Sequence, residues 1–225
     1  MPRPEMFASN MGIEILYSVI IISVCLIIYF STKEIYKLTS HKGVKYFRNT
    51  FLFFAIAYSF RFLARPFAFM LQLFETIKIS PLLSRTVILI VFVYASTMAL
   101  FYLIYSILWK KLDKTILSKN YLLHLAALIL AIIAVFVKPE LFLLFQLVAI
   151  IFTSVIVYLD YNKSKEKKIP YPLYIIYALL IIFWIFNILS TIIPNFFRTT
   201  QTLLYLISTV LFLIIFYKVI TKIKK

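Results

Sequence analysis

The sequence has 225 residues, of which 64% are hydrophobic and 18% aromatic, and it carries a formal net charge of +16. A water-soluble domain of this length exposes too much of its surface to tolerate that apolar content, so lipid is the expected solvent for most of the chain. Such a charge would point to nucleic acid in a soluble protein, but here the basic residues fall between apolar runs, where topology accounts for them, and no nucleic-acid partner is expected.

In chain order, seven segments are long and apolar enough for an α-helix to cross about 30 Å of hydrocarbon. They cover about 12–32, 49–74, 82–109, 121–137, 140–159, 170–193 and 197–220. Only Arg3 and Glu5 charge the approach to the first, and no small-residue cleavage site follows it, so it reads as an uncleaved helix. It holds Cys25, the single cysteine, which excludes an internal disulfide and a paired-cysteine redox or zinc motif. Only Lys138-Pro139-Glu140 separates the fourth segment from the fifth. Their joint length exceeds one span and proline breaks helical hydrogen bonding, so a tight helical hairpin is predicted there.

The basic residues alternate in density from loop to loop. Lys33, Lys37, Lys42, Lys45 and Arg48 follow the first segment, Lys110, Lys111, Lys114 and Lys119 the third, Lys163, Lys165, Lys167 and Lys168 the fifth, and Lys218, Lys222, Lys224 and Lys225 the seventh. The other set of connections holds only Arg3, Lys78, Arg85, Lys138 and Arg198. Positively charged loops stay in the cytoplasm, so the pattern predicts an all-α, seven-helix multi-pass protein of the cell membrane with its N-terminus outside and its C-terminus inside. An even number of spans would mix the two sets. The whole of 1–225 reads as one transmembrane domain, because the longest loop, about 33–48, cannot hold a soluble one. The acceptor sequence Asn162-Lys163-Ser164 falls on the cytoplasmic side and reads as chance. The two glycines, Gly12 and Gly43, lie away from mid-membrane, and no GxxxG packing motif is present.

The main anomaly is Tyr58-Ser59-Phe60-Arg61-Phe62-Leu63-Ala64-Arg65-Pro66 in the second segment. A charged residue at mid-membrane costs about 2.5–3.5 kcal/mol on insertion scales. Arg61 and Arg65 are four apart and share a helix face with Ala57, Ala64, Ala68 and Gln72, while Phe60, Phe62, Phe67 and Phe69 lie on other faces. The arginine stripe is therefore expected to face the bundle interior. Glu14 is the acid expected to reach Arg65, whereas no carboxylate lies near the depth of Arg61. That side chain is expected to use amides, hydroxyls, water or an anionic ligand.

Candidate neighbours cluster in the outer half of the bundle. Asn187, Ser190 and Thr191 form a stripe on the sixth segment one turn beyond Trp184, and Gln201, Tyr205, Ser208 and Thr209 form one on the seventh. Gln146 lies in the outer half of the fifth segment, with Tyr94 and Thr97 near mid-depth on the third. Each has a helix-packing hydrogen bond as its simplest role. Together, Arg61, Arg65, Tyr94, Gln146, Trp184, Asn187, Gln201 and Tyr205 are the expected lining of a polar, positively charged cavity reached from outside. His124 is expected at the inner membrane interface.

Seven spans in a chain of this length, with the N-terminus outside, look like a microbial rhodopsin, which holds retinal on a lysine midway along the seventh helix. Here that region reads Tyr205-Leu206-Ile207-Ser208-Thr209-Val210 and the next lysine is Lys218, so no retinal or other cofactor is expected. The architecture is also similar to the seven-helix sensory regions of prokaryotic signalling proteins. No His-Glu pair, aspartate dyad or Ser–His arrangement shares a depth, and an enzyme is not expected. The expected function is a receptor or sensor module that binds a small anionic or lipid-headgroup ligand and signals through a separate cytoplasmic effector. A transporter or channel for an anionic solute is the alternative.

Overall fold

A computed structural model of the protein describes residues 4–73, 81–112, 120–136, 139–166, 172–192 and 198–223. These form seven helices: α1 (Pro4–Thr39), α2 (Lys42–Leu73), α3 (Pro81–Leu112), α4 (Asn120–Phe136), α5 (Pro139–Glu166), α6 (Pro172–Ile192) and α7 (Arg198–Ile223). Only Ser40 and His41 among the described residues are not helical. Four stretches are long and apolar enough to cross a membrane: Gly12–Thr39, Thr86–Trp109, Phe142–Asn162 and Thr199–Lys222. Tyr121–Phe136 and Tyr174–Ser190 are shorter apolar helices. Leu125, Leu128, Ile129 and Ile132 of α4 and Leu147, Val148, Ile151 and Val155 of α5 point outward. Helices with apolar outer faces of this kind are solvated by hydrocarbon, and the chain is a helical membrane protein.

Each helix packs on its sequence neighbour except that α3 also meets α5, and α7 returns to α1 to close a ring. The expected break between the fourth and fifth segments is present, with α4 ending at Phe136 and α5 opening at Pro139. The expected loop at 33–48 is not, because helix continues through it except at Ser40 and His41. Apolar patterning marks only the part of a helix that lies in hydrocarbon, and residues such as Lys33, Glu34 and Lys37 extend a helix readily once it has left.

The turn itself is made by Ser40, whose φ of 51° places it in the left-handed region that commonly ends helices, with its amide donating to the Tyr36 carbonyl at 2.8 Å. Gly43 follows in the first turn of α2. A Cβ there would sit 2.9 Å from Trp109 Cδ1 and Nε1, so the absence of a side chain is what lets the α1–α2 turn lie against the end of α3. His41 completes the contact, edge-to-face on Trp109 with ring centroids 4.6 Å apart.

Aromatic rings fill the centre. Phe51, Phe54 and Tyr58 of α2 meet Phe183 and Trp184 of α6 and Phe212 of α7, with centroid separations of 4.6 Å for Phe54–Trp184, 4.7 Å for Phe183–Phe212 and 6.3 Å for Phe51–Phe212. Among the described residues no close backbone approach joins α2 to α6 or α7, so rings span the gap. That is the packing expected of a chain without mid-membrane glycine. Elsewhere the helices do close up. Ala127, Ala131 and Ala134 form a buried face on α4 that lets it approach α3. Ser106 of α3 donates to the Tyr177 hydroxyl of α6 at 3.1 Å, and Tyr174 of α6 donates to Asp160 Oδ2 of α5 at 2.8 Å.

Candidate functional site

The site grows from three helices that each place two groups a turn apart. Glu14 and Tyr17 on α1, Tyr58 and Arg61 on α2, and Trp184 and Asn187 on α6 are all spaced by three residues, so each pair leaves one helix face. Asn187 is the hub. Its Oδ1 accepts from the Tyr17 hydroxyl at 2.9 Å and from the Tyr58 hydroxyl, while its Nδ2 donates to the Phe183 carbonyl at 2.8 Å. Tyr17 and Tyr58 hydroxyls are 3.1 Å apart. Two hydroxyl protons serve three contacts, so donation to Asn187 from both leaves the Tyr17–Tyr58 contact without a proton. The cluster ties α1, α2 and α6 together.

Arg61 lies one turn from that cluster. Its Nη2 donates to the Tyr205 hydroxyl at 3.2 Å, and its guanidinium carbon is 5.9 Å from the centre of the same ring. Its Nε is 3.8 Å from Glu14 Oε1, and the two side chains are only 20% and 17% exposed. The expectation that no carboxylate shares the depth of Arg61 is thereby corrected. Both side chains are long enough to travel along the helix axis, and residue position alone does not fix where a charge ends up. Glu14 was expected against Arg65, whose side chain lies outside the described residues, as do those of Ala64, Ala68, Gln72 and Thr191.

Arg61 lines a cavity of about 300 Å³ bounded by α2, α3, α5 and α6. Tyr58, Arg61, Ser96, Gln146 and Asn187 supply its polar groups, and Phe54, Phe92, Phe142, Phe183 and Trp184 its aromatic walls. Of the residues picked out from sequence, Arg61, Gln146, Trp184 and Asn187 thus meet at one cavity. Tyr205 reaches Arg61 from α7 without lining it, and Gln201, half-buried on α7, is not among the lining residues. Tyr94 goes elsewhere. Its hydroxyl is 2.6 Å from His124 Nδ1, on the α3–α4 side of the bundle.

The cavity is less polar than the outer-half stripes imply, because several of their hydroxyls bond their own helix. Ser190 donates to the Asn187 carbonyl at 2.8 Å and Thr209 to the Tyr205 carbonyl at 2.8 Å, and Ser59 of the arginine segment likewise donates to the Ala55 carbonyl at 2.8 Å. Thr97 is buried with its hydroxyl unbonded.

The chain is 35% identical over 217 residues to an "uncharacterized protein" of Archaeoglobus fulgidus, a match covering 93% of this chain and 92% of the relative. The two chains belong to one family. No family model matches, and no solved structure matches.

Tyr17 and Ser96 were not singled out from the sequence, and Tyr58 appeared only as part of the arginine segment. A signal for the tyrosines was available: Tyr17 is three residues from Glu14 and Tyr58 three from Arg61, so each shares a face with a residue already recognised. Ser96 carries no such signal, since its neighbours at that spacing are apolar. Among the described residues no group of three or more His, Cys, Asp or Glu is placed to hold a metal ion.

Proposed function

We propose that the chain is a seven-helix receptor or sensor module of the cell membrane. Its cavity binds a small amphipathic ligand, with an anionic or acceptor head at Arg61 and an apolar body against Phe54, Phe92, Phe183 and Trp184. The observation that carries this reading is the pairing of a guanidinium with an aromatic-walled cavity of about 300 Å³ at one place. Ligand sites of this kind are mainly apolar, with a few polar groups that fix orientation. Glu14 offsets part of the Arg61 charge, so a monoanion or a strong acceptor suits the site better than a multiply charged solute.

In this reading all seven helices cross the bilayer with the N-terminus outside, and the inner lysine clusters contact anionic headgroups or a separate effector protein. The hydrogen bonds of Asn187 to Tyr17 and Tyr58 would carry a change at the cavity to α1 and α2. A transporter is less well supported, because Phe51, Phe54, Phe183 and Phe212 fill the bundle centre beside the cavity.

The test is thermal stabilisation of the purified chain by a panel of carboxylate and phosphate amphiphiles, repeated with Arg61→Gln. A receptor site gives saturable stabilisation by some members of the panel, lost in the variant while the helical content stays. Equal responses from both proteins would refute the site.

A further inference from the structure

The α3–α4 side carries a second feature, separate from the Arg61 cavity. A groove of about 490 Å³ runs along Ile90 and Tyr94 of α3 and Tyr121, His124, Leu125 and Leu128 of α4. Leu125 and Leu128 are exposed, so the groove opens on the apolar outer face of the bundle.

At its floor is a chain of three titratable side chains. Tyr94 OH lies 2.6 Å from His124 Nδ1, and Tyr102 OH lies 3.3 Å from His124 Nε2. Phe53 of α2 packs behind them, 6.1 Å from Tyr94 and 6.0 Å from His124 between ring centroids.

Proton counting decides what this chain lacks. With a neutral imidazole the trio has three protons, one on each hydroxyl and one on the ring, but only two contacts between its members. One proton is left for an acceptor outside the trio. Tyr102 is buried, and the ring nitrogen its hydroxyl meets there is His124 Nε2. Tyr102 then donates to Nε2, and Nδ1–H donates to the Tyr94 oxygen. The spare proton falls on Tyr94, which borders the groove together with His124. Tyr94 is well inside the apolar stretch Thr86–Trp109, where acyl chains offer no acceptor.

We propose that this groove binds a membrane-soluble molecule with a neutral carbonyl on a hydrocarbon body, its oxygen accepting a hydrogen bond from the Tyr94 hydroxyl. A carbonyl is an acceptor only, which matches the proton that Tyr94 directs to the groove. A neutral head fits because, among the described residues, no lysine or arginine lines the groove. The hydrocarbon body follows from the groove's apolar walls and its opening to lipid. A quinone has this chemistry.

The experiment uses the full chain in nanodiscs with decylubiquinone, isotope-labelled at the carbonyls, followed by infrared spectroscopy, with decylbenzene as the competitor lacking an acceptor. The expected result is saturable binding with one carbonyl band shifted to lower frequency. Loss of a neutral hydrogen bond weakens binding about tenfold, so Tyr94→Phe should do so and remove the shifted band. Leu128→Trp, which fills the groove from its lipid side and leaves the hydrogen-bonded chain untouched, should abolish binding, whereas Arg61→Gln should leave it unchanged. A carbonyl band the same as in protein-free discs overturns the proposal. So does equal competition by decylbenzene, or binding that survives Tyr94→Phe and Leu128→Trp. A band lost in Arg61→Gln but kept in Tyr94→Phe also overturns it, by placing the probe in the other cavity.

Discussion

Arg61 of α2 and Tyr205 of α7 meet twice over: the guanidinium donates to the hydroxyl at 3.2 Å and approaches the face of the same ring, 5.9 Å from its centre. The two contributions separate by substitution. Tyr205→Phe keeps the ring and removes the acceptor, and hydrogen bonds to charged groups contribute about 1.5–3 kcal/mol. The variant should therefore be destabilised by about that amount in a denaturant or thermal series, and Tyr205→Leu by more. Equal stability of wild type and Tyr205→Phe would show that the hydroxyl does not solvate Arg61.

Glu14 is the second partner of Arg61. At 3.8 Å from Nε it is at the edge of an ion pair, and the two side chains remain partly exposed. Glu14→Gln should cost about 1–3 kcal/mol, less than the loss of a fully buried partner, because Tyr205 still holds the guanidinium. Its more telling effect is on binding. Without the carboxylate, Arg61 is left with a full positive charge for a ligand, so anionic amphiphiles should bind more tightly to Glu14→Gln than to wild type. Weaker binding of anions by this variant would mean that Glu14, not the ligand, is what the site is built around.

Asn187 holds α1 and α2 to α6 through one oxygen. Asn187→Leu leaves two buried tyrosine hydroxyls to repartner with each other, and buried unsatisfied polar groups cost about 1–3 kcal/mol each. Tyr17→Phe combined with Tyr58→Phe should rescue much of that loss, since no hydroxyl then seeks an acceptor. A coupling of about 0.5–3 kcal/mol in the mutant cycle is expected for groups sharing one network. Strict additivity would mean that the three side chains act independently.

Much of the fold is legible in the sequence because apolar runs and their breaks are set by the solvent. The separation of α4 from α5 follows from Lys138-Pro139-Glu140 alone. The extension of α1 to Thr39 does not, since hydropathy falls at Lys33 while helix propensity does not. At the site, depth counting brings Arg61, Gln146, Trp184 and Asn187 together. It fails for Tyr94, because residues at one depth on α3 can face either α4 or the bundle centre, and only the rotation of the helix decides. It fails for Glu14 because side-chain reach is invisible in residue position.

Gly43 gives a prediction far from the site. A Cβ at this position would overlap the Trp109 ring at 2.9 Å, and the turn holding it runs through Ser40 at a φ of 51°. Gly43→Ala should push the α1–α2 turn off α3 and cost about 1–3 kcal/mol, the range typical of overpacking. Trp109→Phe should relieve the clash. If Gly43→Ala is as stable as wild type, the turn does not rest on Trp109.

The proposed orientation is tested with single cysteines. Cys25 is fully buried, so the native thiol should react slowly and Cys25→Ser provides a clean background. Ser40, in the exposed turn between α1 and α2, lies among the basic residues that the positive-inside bias assigns to the cytoplasm. Thr200, exposed in the first turn of α7, lies at the opposite end of the bundle in the seven-span reading. A membrane-impermeant maleimide added to intact cells should label Thr200→Cys and leave Ser40→Cys unlabelled until the membrane is opened. Labelling of Ser40→Cys alone from outside would invert the orientation. Labelling of both from outside would remove a span between them, and with it the seven-helix crossing on which the assignment of the basic clusters depends.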